Sequence, residues 1–278
     1  MAWDPDTYDR FADERARPFW DLIDLVETDR PIRHAVDLGC GPGPLTVAAA
    51  ERLDVGSMVG IDSSLEMLAA AEPHADQRTT FVEGDLAAWP PSGDRATRSS
   101  PGDVDLVLAA ASLQWVPDHG AVLARWTSSL APSGQLAVQV PNNADHVSHR
   151  IAAELGHVEP FVSAIGGSVP ADPTAVNVLA AETYAEMLFD LGYERQHVRM
   201  QVYGPVLDST ADVADWMRGT SLTRYFAVLP DELHEPLVDE YRRRLVAALG
   251  DRRPYYFAFR RILMWGRLPG RDDATALR

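Results

Sequence analysis

The sequence predicts an α/β fold, in which a doubly wound parallel sheet is flanked by helices. Three observations predict it. An apolar strand that starts near His34 ends in a glycine-rich turn at residues 39–43, and an amphipathic run over residues 45–53 follows that turn. Apolar runs of strand length then alternate with helical patterns as far as Val140. Such alternation is typical of parallel sheets, because each crossover between parallel strands needs a helix.

The composition excludes several classes of function. The net charge of −16 disfavours nucleic acid as a partner, since phosphate contacts need a basic surface. The chain contains no lysine, so Schiff-base chemistry lacks its nucleophile. Apolar runs stay short of the ~18–20 residues of a membrane span, and the N-terminus does not resemble a signal peptide. The single cysteine, Cys40, fits a reducing compartment. We therefore expect a cytoplasmic protein with no membrane partner.

The glycine-rich turn predicts a nucleotide-like ligand. Glycines let a ligand approach the backbone closely, and the helix that follows offers free N–H groups. The spacing is G-x-G-x-G from Gly39, whereas dinucleotide-binding turns use G-x-G-x-x-G to seat a pyrophosphate. Asp37, two positions earlier, would repel a pyrophosphate but suits the cationic amino-acid end of a ligand. The alternative is an ordinary glycine-rich turn, because short motifs also occur by chance.

Asp62 is the second candidate ligand-binding residue. It follows an apolar strand over residues 58–61 and lies about 20–25 residues beyond the glycines, where an acidic side chain binds ribose hydroxyls. The alternative is a helix-capping acid, since Ser63 and Glu66 have the spacing of a capping box. The distance from the glycines favours the ribose interpretation.

Asp85 follows the third predicted strand, residues 79–82. An acid at this place can accept a hydrogen bond from an adenine amino group, and Leu86 can pack on the ring. The alternative is a turn aspartate, which is common after a strand.

The fourth predicted strand, residues 104–109, leads to further candidates. Ser112, Gln114 and Trp115 follow it, and ligands of open α/β sheets bind at the carboxyl ends of the strands. The alternative for Trp115 is core packing, which is common for tryptophan. A turn-rich segment over residues 90–103 predicts a surface loop before this strand.

The remaining pattern predicts one domain, residues 1–278, with additions to the sheet. Residues 1–30 predict an N-terminal lid helix, with Tyr8 and Arg15 facing a ligand, or else a helix that only packs on the domain. Residues 142–192 and 204–254 predict cap insertions. The further predicted elements are helices over residues 11–25, 119–130, 145–161, 180–191, 210–217 and 233–249, and strands over residues 136–140, 194–203 and 255–265.

The sequence offers little for covalent or metal chemistry. It contains no G-x-S-x-G elbow, and its nearest approach to a metal-ligand pattern is His146 and His149, for which solvated side chains are the better interpretation. Several arginines are candidates to bind an anion, since guanidinium groups hold carboxylates bidentately, although each can also be an ordinary surface charge. They are Arg15, Arg17, Arg218, Arg224, Arg260 and Arg261, of which Arg218, Arg224 and Arg260 lie beside aromatic residues.

Six stretches together resemble a known family. The glycine turn, D-L-G-C-G-P-G from Asp37, resembles motif I of class I S-adenosylmethionine (SAM) methyltransferases. The stretch A-S-L-Q-W-V-P-D-H from Ala111 is more specific and resembles the trans-aconitate 2-methyltransferase family, which methylates a carboxylate of a small polycarboxylic acid. The resemblance covers most of the chain and is strongest over residues 8–18, 37–43, 62–64, 111–119, 137–141 and 258–261.

The resemblance implies a Rossmann-like, doubly wound sheet of seven strands with a reversed final hairpin and a largely helical cap. It implies SAM as the cofactor, no metal, and three sets of site residues. The cofactor set is Arg15, Asp37, Gly39, Gly41, Asp62, Ser63, Met67, Asp85, Leu86, Ala110 and Trp115. The catalytic set is Gln114, Trp115 and His119. The substrate set is Tyr8, Arg17, Tyr203, Trp216, Arg218 and Arg260.

The chain departs from the family pattern at two places. It has Ala110 where the family often has asparagine, and Pro205 where the family often has histidine. Losing that histidine removes a possible polar contact to an anionic substrate. An acceptor acid other than trans-aconitate is therefore a serious alternative.

The first hypothesis is a SAM-dependent O-methyltransferase that esterifies a small carboxylic acid. A carboxylate is ionised at pH 7 and needs no general base, so alignment and desolvation can carry catalysis. The alternatives are an amine, phenol or carbon acceptor, which usually needs a base, a SAM-binding protein without activity, and a NAD-dependent oxidoreductase, which the glycine spacing disfavours. We expect a small-molecule partner and a monomer or homodimer.

Overall fold

A computed structural model describes residues 12–90 and 102–271. The chain divides into two compact units. Among these described residues, 16–90, 102–141, 177–201 and 261–271 form one, here called the sheet unit, and 12–15, 142–176 and 202–260 form the other, here called the helical unit. No helix in the described ranges is long and apolar enough to cross a membrane.

The strands, in chain order, are β1 (His34–Leu38), β2 (Ser57–Asp62), β3 (Thr79–Glu83), β4 (Val104–Ala110), β5 (Leu130–Pro141), β6 (Arg195–Tyr203), β7 (Val206–Leu207), β8 (Tyr255–Tyr256) and β9 (Phe259–Arg267). The helices are α1 (Ala12–Ile23), α2 (Pro44–Arg52), α3 (Leu65–Ala71), α4 (His119–Ser129), α5 (Val147–Leu155), α6 (Phe161–Ala164), α7 (Pro173–Asn177), α8 (Ala181–Asp190), α9 (Val213–Arg218), α10 (Thr223–Phe226) and α11 (His234–Leu249).

Seven strands form one mixed sheet in the order β3-β2-β1-β4-β5-β9-β6. The first five pair in parallel, and β9 pairs with β5 in the antiparallel direction. The order reverses direction between β1 and β4, which is where ligands bind in doubly wound sheets. The predicted Rossmann-like sheet of seven strands and its reversed final strand are confirmed.

The core of the sheet unit explains why the parallel strands read as continuous apolar runs. β1 and β4 lie in the middle of the sheet, and most of their residues are buried. One face of the sheet packs on large side chains from α4 and α8, among them Trp126, Tyr184 and Leu188. Because helices cover the strands, polar alternation would leave buried polar groups without partners.

Two buried tyrosines of the helical unit donate hydrogen bonds to backbone carbonyls of α5. The hydroxyl of Tyr225 donates to the carbonyl of Ala152 at 2.7 Å, and that of Tyr241 donates to the carbonyl of Ser148 at 3.1 Å. The short strands β7 and β8 pair as an antiparallel ribbon in this unit.

Most predicted elements agree with the structure, and four differ. The helix predicted over residues 145–161 is two, α5 and α6, with Pro160 immediately before the second. The strand predicted over residues 255–265 is two, because its first residues pair with β7 and the later ones with β5. β5 starts six residues earlier than predicted. Helix α8, inside the insertion predicted over residues 142–192, belongs to the sheet unit, since Tyr184 and Leu188 lie in its core.

Candidate functional site

The glycine turn after β1 has a backbone that other residues rarely adopt. Gly39, Gly41 and Gly43 have φ angles of 83°, 56° and 90°. A Cβ atom on Gly39 would lie 2.3 Å from the Cβ atom of Ser112, whereas one on Gly41 would meet nothing within 4 Å. Gly39 therefore lets the turn pack against the end of β4, and Gly41 leaves open space beside the backbone.

Asp62 closes the glycine turn onto the end of β2. One carboxylate oxygen accepts from the backbone N–H of Gly41 at 2.9 Å, and the other accepts from that of Ser64 at 2.9 Å. Two backbone donors fix the side chain while leaving oxygen lone pairs open to further donors. The same side chain thus fits both sequence interpretations, ligand binding and capping of the segment before α3.

Asp37 is a buried acid beneath the turn. One carboxylate oxygen accepts from the hydroxyl of Thr46 on α2 at 2.6 Å, and the other, Oδ1, is buried with no hydrogen-bond partner among the described residues. Burial raises the pKa of Asp37 to about 6, the bond from Thr46 opposes that rise, and the charge of Asp62 adds to it. A buried oxygen without a donor is suited to a cationic ligand group.

The segments after β2 and β3 hold four predicted cofactor residues. Ser63 and Met67 are exposed, and the cap of α3 is Ser64, whose hydroxyl accepts from the N–H of Met67 at 3.3 Å. The capping box predicted to start at Ser63 is therefore one residue too early. Asp85 is exposed and accepts from the N–H of Ala87 at 2.8 Å, as in the turn alternative, and Leu86 packs on the core.

The backbone is distorted at the end of β4. Ala111 has a φ angle of 56°, which costs free energy for a residue with a side chain and is often found at functional sites. The hydroxyl of Ser112 donates to the carbonyl of Leu38 at 2.5 Å, which joins the ends of β4 and β1. Ala110 is half-buried and directly precedes this turn.

Gln114 and Trp115 lie on the short turn that follows. The amide nitrogen of Gln114 donates to the carbonyl of Ala111 at 2.6 Å, and its buried Oε1 has no hydrogen-bond partner among the described residues. The amide of Asn177 donates to the backbone carbonyl of Gln114 at 2.9 Å. Trp115 is 61% exposed, so the core-packing alternative does not hold for this tryptophan.

His119 is buried, and both of its ring nitrogens are engaged. Nε2 lies 3.0 Å from the carbonyl oxygen of Leu113 and 3.1 Å from that of Val116, and Nδ1 lies 2.6 Å from the hydroxyl of Tyr184. Burial lowers the pKa of His119, so the ring is neutral at neutral pH. The geometry favours a positioning role for His119, which fixes the turn of Gln114. It does not favour the catalytic role that the sequence predicts.

The substrate residues predicted in the helical unit fall into one aromatic group and two ion pairs. The rings of Tyr203 and Trp216 each lie 5.4 Å from that of Phe259, centroid to centroid. Arg218 binds both carboxylate oxygens of Glu235 and holds the pKa of that carboxyl below its usual range, and Arg260 pairs with Asp145.

Arg17, the other described substrate candidate, is exposed on the sheet unit. Tyr8 and the side chain of Arg15 lie outside the described residues. Sequence reasoning missed Thr46, the hydrogen-bond partner of Asp37. Its signal is a lone hydroxyl in the otherwise apolar first turns of α2. In the described ranges, no group of three or more His, Cys, Asp or Glu is placed to hold a metal ion.

Comparison with known proteins identifies relatives of nearly the same length. Residues 35–134 match a family model described as a methyltransferase domain. The chain is 37% identical over 271 residues to the trans-aconitate 2-methyltransferase of Deinococcus radiodurans, covering 95% of this chain and 97% of the relative. It is 38% identical over 268 residues to that of Streptomyces avermitilis, covering 94% and 95%. The protein of the same name from Mycobacterium tuberculosis is 36% identical over 274 residues, covering 96% and 97%.

Solved structures share the fold at low identity. The YcgJ protein of Bacillus subtilis superimposes with a TM-score of 0.55 at 13% identity, covering 90% of this chain and 97% of that one. Phosphoethanolamine N-methyltransferase 2 of Haemonchus contortus, solved with S-adenosylhomocysteine, has a TM-score of 0.50 at 16% identity, covering 86% of this chain and 49% of that one. At these identities the likeness shows the fold alone.

Proposed function

Because this chain belongs to the trans-aconitate 2-methyltransferase family and is a SAM-dependent methyltransferase, we propose that it esterifies a carboxylate of trans-aconitate or a closely similar small polycarboxylic acid. The observation that carries the proposal is similarity at 36–38% identity to relatives of that name over nearly the whole of both chains. Similarity over this length includes the helical unit as well as the glycine turn, and the glycine turn alone would support only methyl transfer.

The residues at the ends of β1, β2 and β4 fit SAM. The open space at Gly41 admits a ligand against the backbone, and the unpartnered oxygen of Asp37 suits an ammonium group. We propose that Asp62 and Ser63 hold the ribose and that Asp85, Leu86 and Met67 hold the adenine. Bound SAM supplies an electrophilic methyl group on a sulfonium, and Gly39, Ala110 and Trp115 complete the proposed cofactor set, with Arg15 from the N-terminal segment.

Catalysis then needs alignment more than proton transfer. The acceptor carboxylate is already ionised at neutral pH, so no base has to act on it. The hydrogen bonds of His119, Tyr184 and Asn177 fix the turn that carries Gln114 and Trp115. Holding reactants in a productive geometry and excluding water can supply ~7–11 kcal/mol of the barrier reduction in favourable cases.

The acceptor residues are proposed from the arginines and aromatic rings. Arg17 is exposed and can meet a carboxylate directly, and Tyr8, Tyr203 and Trp216 are the proposed aromatic residues of the acceptor set. Arg218 and Arg260 already hold Glu235 and Asp145. A carboxylate of the substrate would therefore have to displace or share an internal acid at either arginine. We also propose a cytoplasmic protein, monomeric or homodimeric, that acts without nucleic acid or a membrane.

Substitution of Asp62 by alanine tests the cofactor half of the proposal. We expect Asp62→Ala to weaken SAM binding at least about tenfold, because a carboxylate that accepts from hydroxyl groups contributes ~1.5–3 kcal/mol. Stability should fall by only about 1 kcal/mol, since water can reach the two freed N–H groups. Calorimetric titration with SAM and thermal unfolding measure the two quantities. Unchanged SAM affinity would contradict the proposed role.

The acceptor is tested by product analysis. Purified protein is incubated with SAM and trans-aconitate, S-adenosylhomocysteine is quantified, and mass spectrometry identifies the monomethyl ester. Parallel reactions with cis-aconitate, citrate and a saturated tricarboxylate show which features of the acid matter. We expect turnover to be fastest with trans-aconitate. SAM binding with no ester from any acid would overturn the proposal and favour a phenol, amine or carbon acceptor, for which a base titrating near neutrality should shape the pH profile.

A further inference from the structure

Two glutamines on β5 have opposite hydrogen-bonding states. Gln135 and Gln139 are 5% and 4% exposed and, four residues apart on one strand, point to the same face of the sheet. The Oε1 atom of Gln135 accepts from the N–H of Glu27 at 2.9 Å and from the indole N–H of Trp265 at 2.8 Å. Its nitrogen donates to the carbonyl of Glu27 at 2.8 Å. The buried Oε1 of Gln139 has no hydrogen-bond partner in the described ranges.

Gln139 lies where the sheet binds its ligands. It is opposite Ala110 on β4, and its carbonyl accepts from the N–H of Ala111 at 2.9 Å. The register aligns Asp37 with Leu108 and Leu108 with Ala137. Gln139 is therefore on the same face as Asp37 and two residues closer to the carboxyl ends of the strands. The methyl side chain of Ala110 leaves the amide without a polar neighbour from β4.

A buried amide oxygen without a donor costs stability and needs an explanation. Gln135 shows that this face of β5 can satisfy a glutamine completely when the surroundings supply donors and acceptors. At residue 139 they supply no donor to the amide oxygen, and an apolar residue of similar size would fit better beside Leu108 and Ala137, which are buried on the same face. A ligand that bonds the amide would explain why a glutamine stands there.

We propose that Gln139 is a specificity-determining residue whose carboxamide binds a carboxyl group of the acceptor. This inference rests on the proposed esterification of a polycarboxylic acid. A terminal amide can rotate by 180° without changing its shape, so it can present its N–H₂ group at the position of the unpartnered atom. A carboxylate of the bound acid selects the orientation in which the N–H₂ group faces it. A carboxylate that stays unmethylated accepts a stronger hydrogen bond than the ester that forms.

The test compares Gln139→Met with Gln135→Met, because methionine nearly matches glutamine in length and volume. Gln139→Met should raise KM for trans-aconitate about 10- to 150-fold, the effect of losing one hydrogen bond to a charged group. Its kcat and its dissociation constant for SAM should change less than about twofold. Its Tm should rise by about 2–4 °C, because no buried amide is left unpartnered. Gln135→Met should lower Tm and leave KM unchanged.

Each alternative outcome has its own meaning. A wild-type protein that esterifies none of the acids tested overturns the proposed function, and the inference with it. Wild-type turnover with an unchanged KM in Gln139→Met overturns the inference alone. Weaker SAM binding in Gln139→Met would assign the amide to the cofactor and also overturn it. A fall in Tm equal to that of Gln135→Met would show that Gln139 is a structural residue.

Discussion

Asp37→Asn is expected to weaken SAM binding by at least about 100-fold, because an ammonium buried beside a neutral amide loses a partner worth ~3–5 kcal/mol. The wild-type protein should bind SAM less well as the pH falls, because the pKa of Asp37 is about 6 and only the ionised acid attracts the ammonium group. Below that pH the wild-type affinity should fall about tenfold per pH unit, whereas that of the variant should not. Calorimetric titrations from pH 5 to pH 8 measure both.

The same substitution should change how stability depends on pH. The pKa of Asp37 rises from 3.8 in the unfolded chain to about 6 in the folded one. Between these values the folded protein keeps a proton that the unfolded chain releases, so the free energy of unfolding falls as the pH rises through this window. A rise in pKa from 3.8 to about 6 corresponds to about 3 kcal/mol of free energy. Relative to wild type, Asp37→Asn should therefore gain about 2–3 kcal/mol from pH 4 to pH 8.

Urea unfolding without SAM at pH 4, 6 and 8 measures this difference. Asp190→Asn, which removes one exposed charge from the end of α8, is the matched control and should show no such trend. A difference between Asp37→Asn and wild type that stays constant with pH would mean that the buried carboxyl ionises as an ordinary acid. The proposal that the buried carboxylate of Asp37 binds the ammonium group of SAM would then be wrong.

Gly39→Ala is expected to lower the free energy of unfolding by about 3–5 kcal/mol, the summed cost of a strained left-handed backbone and of overpacking. The added methyl would have to displace the end of β4, because it would lie 2.3 Å from the Cβ atom of Ser112. We expect a fall in Tm of roughly 10 °C or more. Adding Ser112→Gly removes the collision but not the backbone strain, and it also removes the hydrogen bond from Ser112 to the carbonyl of Leu38, so less than half of the loss should return.

Gly41→Asn separates binding from folding at the next glycine of the turn. Asparagine tolerates the left-handed conformation, and a Cβ atom on Gly41 would meet nothing within 4 Å, so stability should stay within about 1 kcal/mol of wild type. The side chain would fill the space proposed for SAM and should weaken SAM binding at least about tenfold. Tight binding by Gly41→Asn would place the cofactor elsewhere.

The parallel half of the sheet could be predicted from local pattern, because apolar period, glycines and capping residues lie within a few residues of one another. Residues 255–265 could not be divided correctly, since the division depends on strands more than 40 residues away along the chain. The hydrogen-bonding states of Gln135 and Gln139 could not be predicted either. Both are glutamines in one apolar strand, and their difference comes from Glu27 and Trp265, which are distant in sequence.

The role of a site residue could be predicted where a sequence motif determines it. It could not be predicted where the burial of the side chain in the folded protein determines it. Asp37 and Asp62 were found from their distance to the glycines, and the structure places both beside the turn. The family resemblance implies a catalytic role for His119, but its ring is buried against the hydroxyl of Tyr184 and two carbonyl groups. No local pattern distinguishes a histidine that catalyses from one that anchors a turn, because both sit at strand ends.

The exposure of Trp115 makes the site visible to fluorescence. Of the tryptophans in the described part of the chain, this indole alone is more than half exposed, whereas Trp89, Trp126, Trp216 and Trp265 are buried. Acrylamide should therefore quench the red, water-exposed fraction of the emission first. A ligand that covers the turn of Gln114 should shield that fraction and shift the emission to the blue. The protein thus carries its own optical probe at the place where methyl transfer is proposed, with no label added.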